Sequence, residues 1–133
     1  MKNIKYLILL LPLVLTGCFG NAGKGVLTNE CVMKIETQWM TETDKYTITY
    51  KEGKVTNVVI ANKYEGFDMT ESMNTSKKAY ENEKGIIITI DNDTITKEFE
   101  MNKVNSNIKE VFNLKDTYND QVKILTDKGY TCN

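Results

Sequence analysis

Apolar and polar residues alternate over most of the chain beyond residue 30, a pattern typical of half-buried β-strands. In the segment Val55–Ala61 the run Val58–Ile60 is apolar on both faces, so this strand is expected in the centre of a sheet. Glu52-Gly53 and Asp91–Asp93 separate strands as turns, which predicts two hairpins. The predicted strands cover residues 31–36, 46–51, 55–61, 86–90 and 94–101.

Two segments have helical spacing instead. In Asp68–Lys84 the residues Met69, Met73, Ser76 and Tyr80 recur every three or four positions, and Gly85 follows as a stop signal. A second helix is expected over Thr117–Lys128, with Thr117 as its N-cap, Gly129 after its end and Tyr130 folding back. Residues 102–114 are ambiguous and could hold a short helical turn.

The element order predicts an α+β domain over residues 31–133. An antiparallel sheet of about five strands would have two helices packed on one face, and the other face, which bears Thr and Lys, would be solvated. After the last helix the chain would bring Cys132 beside the start of the first strand at Cys31.

The N-terminus has the pattern of a secretory signal. Lys2 and Lys5 precede the apolar run Tyr6–Leu15. A ten-residue helix rises about 15 Å, roughly half the hydrocarbon thickness of a bilayer, so this run is too short to remain as a membrane span. Residues 1–17 are therefore predicted to be a signal peptide.

The four residues that follow resemble a bacterial lipobox. Leu15-Thr16-Gly17-Cys18 implies a thioether-linked diacylglycerol on Cys18, with palmitate among the expected acyl chains, and cleavage just before it. An ordinary signal peptide with an unrelated Cys is the alternative. Residues 18–30 would be the lipidated Cys and a flexible tether rich in Gly and Asn. The resemblance implies a lipoprotein held on the cell membrane, with its domain on the extracytoplasmic side.

Cysteine usage fits that location. Of three Cys, lipidation uses Cys18 and leaves Cys31 and Cys132. In an oxidising compartment these two are expected to form a disulfide bond. Closing a loop of about 100 residues would add about 4–5 kcal/mol of stability in the chain-entropy model. Two free thiols are the alternative. A metal ion bound by the two Cys is disfavoured, because the sequence offers no third or fourth soft ligand.

Composition excludes several kinds of chemistry. The 133 residues are 41% hydrophobic and 26% charged, as in an ordinary globular domain, but there is no His and every one of the 17 basic residues is Lys. Ser-His and Cys-His nucleophile pairs, His metal sites and guanidinium forks are therefore absent. Removing Lys2 and Lys5 leaves 15 lysines against 18 acids, net −3. Nucleic acid is a poor partner for such a domain.

No cofactor or metal is predicted. Asp91-Asn92-Asp93 begins like a calcium-binding loop, but Ile95 stands where an oxygen ligand is required, so a hairpin turn is the better interpretation. Glu98 and Glu100 fall on one exposed strand face.

Several segments together resemble the small YehR-like lipoproteins, a family of unknown function. They are the lipobox, a Cys soon after it, "YTITYKEGKVTNV" at 46–58, "KKAYENEKGIIITI" at 77–90 and "LTDKGYTC" at 125–132. The resemblance implies a lipid-anchored α+β domain in the cell envelope and supplies no catalytic residues.

The function predicted is that of a non-enzymatic binding module. Its partner would be an envelope protein, a glycan or a small ligand, and Trp39 and Tyr50 are the candidate contact residues. Packing in the core or rim would also explain Trp39, and packing within the sheet would also explain Tyr50. The alternatives are a purely structural envelope component or an envelope hydrolase. Two carboxylates converging in a cleft with raised pKa values would favour the hydrolase.

Overall fold

The computed structural model describes residues 25–133, which form six strands and three helices. The predicted α+β class is confirmed, while the signal peptide and Cys18 lie outside the described residues. The elements are β1 (Val26–Glu36), β2 (Thr41–Lys51), β3 (Lys54–Glu65), α1 (Thr70–Tyr80), β4 (Ile86–Asp91), β5 (Thr94–Glu100), α2 (Ser106–Val111), α3 (Tyr118–Asp127) and β6 (Thr131–Cys132).

All six strands form one antiparallel sheet in the order β4-β5-β3-β2-β1-β6. β3 lies between β2 and β5, as its apolar run predicts, and Val58 is completely buried. A β-bulge interrupts the β2–β3 register at Thr49/Tyr50. The sheet therefore places the longest strands, β1 to β3, side by side.

One face of the sheet forms the core. Ile48, Val58, Phe99 and Ile86 are direct neighbours across four strands, and all are buried. The helices cover this face. Each contributes one buried apolar side chain to the core: Met73 from α1, Ile108 from α2 and Leu125 from α3.

The structure contains one more strand and one more helix than the sequence pattern predicts. β6 is only two residues long and α2 only six, so neither has room for a periodic pattern. Asn105 starts α2 by accepting a hydrogen bond from the Ile108 N–H at 3.0 Å.

β1 also starts earlier than expected, at Val26. Residues 26–30 pair with residues 47–51 of β2, so the boundary between tether and domain moves from residue 30 to residue 26. The six-stranded sheet and the core that the structure describes lie within residues 25–133, so a chain that starts at residue 19 retains all of them.

The last helix and the closing disulfide follow the sequence prediction. Thr117 caps α3 by accepting from the Asp120 N–H at 3.2 Å, and the Tyr130 N–H returns to the Leu125 carbonyl at 3.0 Å. This turn brings Cys132 opposite Cys31 in the β1–β6 register. The two form a disulfide with their Cα atoms 4.0 Å apart.

Replacing both Cys31 and Cys132 with Ala should lower the free energy of unfolding by about 4 kcal/mol, because the unfolded chain then regains the entropy of an open loop. Urea denaturation of the chain from residue 19 measures this. Reduction of the unaltered chain should give a similar loss. An unchanged unfolding midpoint in both samples would contradict a stabilising disulfide.

Candidate functional site

The antiparallel register gives the sheet two distinct ends. β1 starts at Val26, opposite Lys51 and next to the β2–β3 turn, and ends at Glu36, next to the β1–β2 turn. We call these the entry end and the distal end. Eleven residues of strand span about 35 Å. Whatever precedes residue 25 therefore joins the domain far from the β1–β2 turn.

Trp39 lies in that turn and is exposed to solvent over 72% of its surface. Thr37 fixes the turn, since its hydroxyl accepts hydrogen bonds from the N–H groups of Trp39 and Met40 at 3.3 and 3.1 Å. The Thr37 N–H also donates to the Met40 carbonyl at 2.9 Å. Hydrogen bonds thus fix the backbone of the turn, and the indole of Trp39 is exposed to solvent instead of packing in the core.

A second exposed aromatic ring, Phe67, lies in the neighbouring β3–α1 connection and is 62% exposed. Gly66 places the two connections in contact, since a Cβ built there would lie 2.8 Å from the Trp39 carbonyl oxygen. Its φ of +94° also favours glycine. We call Trp39 and Phe67 the aromatic tip.

A cavity of about 270 Å³ adjoins Phe67. Asp68 lies at its rim and accepts a hydrogen bond from the Thr70 N–H at 2.9 Å. Hydrogen bonding with Thr70 lowers the pKa of Asp68, so this carboxylate is negatively charged at neutral pH. The cavity is lined by Tyr64, Phe67, Asp68, Met69, Thr70, Met73, Asn92 and Asp93.

The distal end is strongly acidic. It consists of residues 33–44, 62–71 and 91–95, which contain eight carboxylates and only two lysines. Both lysines form ion pairs within it, Lys34 with Glu36 at 2.6 Å and Lys63 with Glu65 at 3.2 Å. The carboxylates are Glu36, Glu42, Asp44, Glu65, Asp68, Glu71, Asp91 and Asp93.

Tyr50 lies at the entry end, and the structure does not bring it together with Trp39. Its ring stacks on Tyr118 of α3, with centroids 3.9 Å apart and planes at 18°. Asn29 donates a hydrogen bond to the Tyr118 hydroxyl. Tyr50 therefore packs the sheet against α3, and the two candidate contact residues do not form one site.

A chain of polar side chains crosses the covered face of the sheet. Asn62 donates to the Asp44 carboxylate at 2.6 Å and accepts from the Lys97 ammonium at 3.0 Å. Asp44 and Lys97 are both buried, and the Lys97 Nζ lies 5.8 Å from the centre of the Phe112 ring. Burial lowers the pKa of Lys97, while the charges of Asp44 and Glu42 act in the opposite direction.

Glu42 lies two residues before Asp44 on the same face. Its pKa is raised, first by burial and then by hydrogen bonding and charge contact with Asp44, whereas Tyr64 and Lys97 lower it. Burial raises the pKa of Tyr64 to about 12. Glu42 is the carboxyl among the described residues whose pKa moves in the direction the hydrolase alternative requires. Its neighbour Asp44, however, lies beside it on one strand and not across a cleft.

The segment Asp91–Asp93, which begins like a calcium-binding loop, forms a hairpin turn. Asn92, at φ +51°, and Asp93 form the two-residue turn between β4 and β5, as predicted. Within residues 25–133, no group of three or more Cys, Asp or Glu side chains is placed to hold a metal ion. No helix in this range is long and apolar enough to cross a membrane.

Comparisons with known proteins add little to the site. No family model matches the chain, and no curated protein matches it. A solved structure, the NMR structure of a protein from Streptococcus pneumoniae TIGR4, is similar at 17% identity and a TM-score of 0.46. The match covers 81% of this chain and 85% of that one. The resemblance to YehR-like lipoproteins stays a prediction.

Gly66→Ala should destabilise the protein by at least about 1 kcal/mol and change the fluorescence emission of Trp39, because the new methyl group meets the Trp39 carbonyl. Gly53→Ala is the matched control, since φ there is +77° but no atom lies within 4 Å of its Cβ. Equal destabilisation by both, with unchanged Trp39 emission, would contradict contact between the two connections.

The free energy of unfolding of the Glu42→Gln variant, relative to that of the native chain, should increase as pH rises from 4 to 7. A raised pKa means that the folded state holds the Glu42 proton more tightly than the unfolded state. The native chain therefore loses stability as pH rises above the usual pKa of Glu, and the variant does not. Chemical denaturation at both pH values measures this, with Glu81→Gln as an exposed control. A pH-independent difference would contradict the raised pKa.

Proposed function

We propose that this chain is a lipid-anchored protein of the bacterial cell envelope that binds a partner through its distal end, without catalysing a reaction. The observation that supports this most directly is the separation of the aromatic tip from Val26 by the length of β1. An anchor joined at the entry end would leave Trp39 and Phe67 facing away from the membrane.

The lipobox supplies the anchor in this proposal. Cys18 precedes Val26 by eight positions, and an extended chain covers at most about 3.6 Å per residue. The entry end would thus stay within about 30 Å of the acylated residue. Two acyl chains hold a protein on a bilayer far more firmly than one, at about 0.8 kcal/mol for each buried methylene group.

The aromatic tip supplies the binding surface. Large aromatic side chains lose much unfavourable contact with water when a partner covers them, and Trp is enriched among the residues that dominate binding energy. Trp39 and Phe67 are the two most exposed aromatic rings that the structure gives, and they lie on adjoining connections. The partner could be an envelope protein, a glycan or a small ligand.

A hydrolase is the second candidate, favoured by the raised pKa of Glu42 beside Asp44. Under that proposal Glu42→Gln would abolish turnover of an envelope substrate while the fold persists. A structural envelope component is the third, and discovery of a ligand would separate it from the binding module.

The anchor is tested by Cys18→Ser in cells. The variant should lose acylation and accumulate as uncleaved precursor, because the thiol that receives the lipid is gone. Mass spectrometry of membrane and soluble fractions reads both results. Native protein of mature mass without lipid would contradict the anchor.

The binding surface is tested by Trp39→Ala and Phe67→Ala in the chain from residue 19. We expect both variants to fold and to retain envelope proteins or glycans several-fold less well than the native chain, since each removes one ring of the tip. Ile87→Ala is the matched control, because Ile87 is also 62% exposed but lies within β4, on the face of the sheet away from the core and outside the distal end. Unchanged retention by both tip variants would place the contact elsewhere.

A further inference from the structure

The charges of the domain are segregated along the sheet. The distal end contains eight carboxylates and two lysines, whereas the other described residues contain ten carboxylates and 12 lysines. The distal end is thus net negative and the rest of the described domain is slightly positive, although the sequence as a whole is almost neutral at −1. Surface potentials of this kind steer partners of opposite charge toward one end.

Four of the distal carboxylates face solvent with no lysine at ion-pair distance among the described residues. Asp68 and Asp93 line the cavity beside Phe67, and Glu71 and Asp91 are exposed nearby in the chain. The two distal lysines are already paired with Glu36 and Glu65. Negative charge therefore remains around the aromatic tip for a partner to neutralise.

The tip adds a second feature that selects the same kind of partner. The faces of indole and phenyl rings attract Lys and Arg side chains, Trp most strongly. Since Trp39 and Phe67 are exposed beside carboxylates that no lysine in the described part of the chain neutralises, a cation would be attracted both by the ring faces and by the negative charges. An anionic glycan or an acidic lipid headgroup would instead be repelled.

We infer that the distal end receives a cationic polypeptide segment, whose Lys or Arg side chains contact Trp39, Phe67 and the surrounding carboxylates. This inference rests on the proposed binding function and names the class of its partner. A polypeptide fits the extent of the surface. The β1–β2 and β4–β5 turns are three strand positions apart, about 14 Å, which about four extended residues span.

Trp39 provides the test, because it is the sole Trp of the chain. The chain from residue 19 is titrated with a nine-residue peptide of alternating Arg and Ser, and with the matched peptide in which Gln replaces Arg. We expect saturable change of Trp39 fluorescence with the Arg peptide, weakened by salt, and at least about tenfold weaker binding of the Gln peptide. Equal binding of both peptides would overturn the inference.

Matched charge variants separate the site from bulk attraction. Glu71→Gln with Asp93→Asn removes two charges at the distal end, and Glu81→Gln with Glu83→Gln removes two in the α1–β4 connection near the entry end. The first pair should weaken binding of the Arg peptide about five- to tenfold, and the second pair less than twofold. Equal effects would overturn the inference, because they would show attraction to net charge alone.

Two further outcomes concern the occupant. Binding of the distal end to vesicles of phosphatidylcholine and phosphatidylglycerol, lost on Trp39→Ala, would overturn the inference in favour of a membrane. No response to the Arg peptide, combined with retention of envelope material that depends on Trp39, would overturn the inference and leave the binding function intact. Retention that depends on neither Trp39 nor Phe67 would instead refute the binding function itself.

Discussion

Eleven consecutive antiparallel pairs between β1 and β2 hold the two ends of the domain apart. They place Val26 opposite Lys51 at one end and Glu36 opposite Thr41 at the other. A slip of one residue would turn Cys31 to the solvated face and remove its pairing with Cys132. The core, the disulfide and the direction in which the tip points all depend on this register.

The parts of the fold that the sequence predicts are those with a repeated pattern or a specific cap. The β4–β5 hairpin follows from alternating Ile residues, and α3 follows from its Thr117 cap and the glycine after it. β6 and α2 are too short for periodicity and depend on distant contacts. Residues 26–30 are predicted as part of the tether because the segment before Cys31 is rich in Gly and Asn, yet pairing with β2 makes them strand.

The candidate site could be predicted only in part, for the same reason. Trp39 is conspicuous in the sequence, but its exposure depends on how the β1–β2 turn closes. Phe67 was missed because its proximity to Trp39 arises from the close approach at Gly66. Tyr50 has the alternation expected of any half-buried strand residue, and its partner Tyr118 lies 68 positions later. The acidic end forms only when the topology gathers three separate segments.

The central claim, that anchor and tip lie at opposite ends, can be tested directly with the natural Trp39 fluorophore. The lipidated protein is reconstituted into vesicles whose acyl chains carry bromine, which quenches tryptophan at close range. A Leu27→Trp, Trp39→Phe variant reports from the entry end for comparison. The account predicts that Trp39 is not quenched, since about 35 Å of strand separates it from the entry end. Strong quenching of Trp39 would show that the aromatic tip inserts into the membrane and would contradict the account.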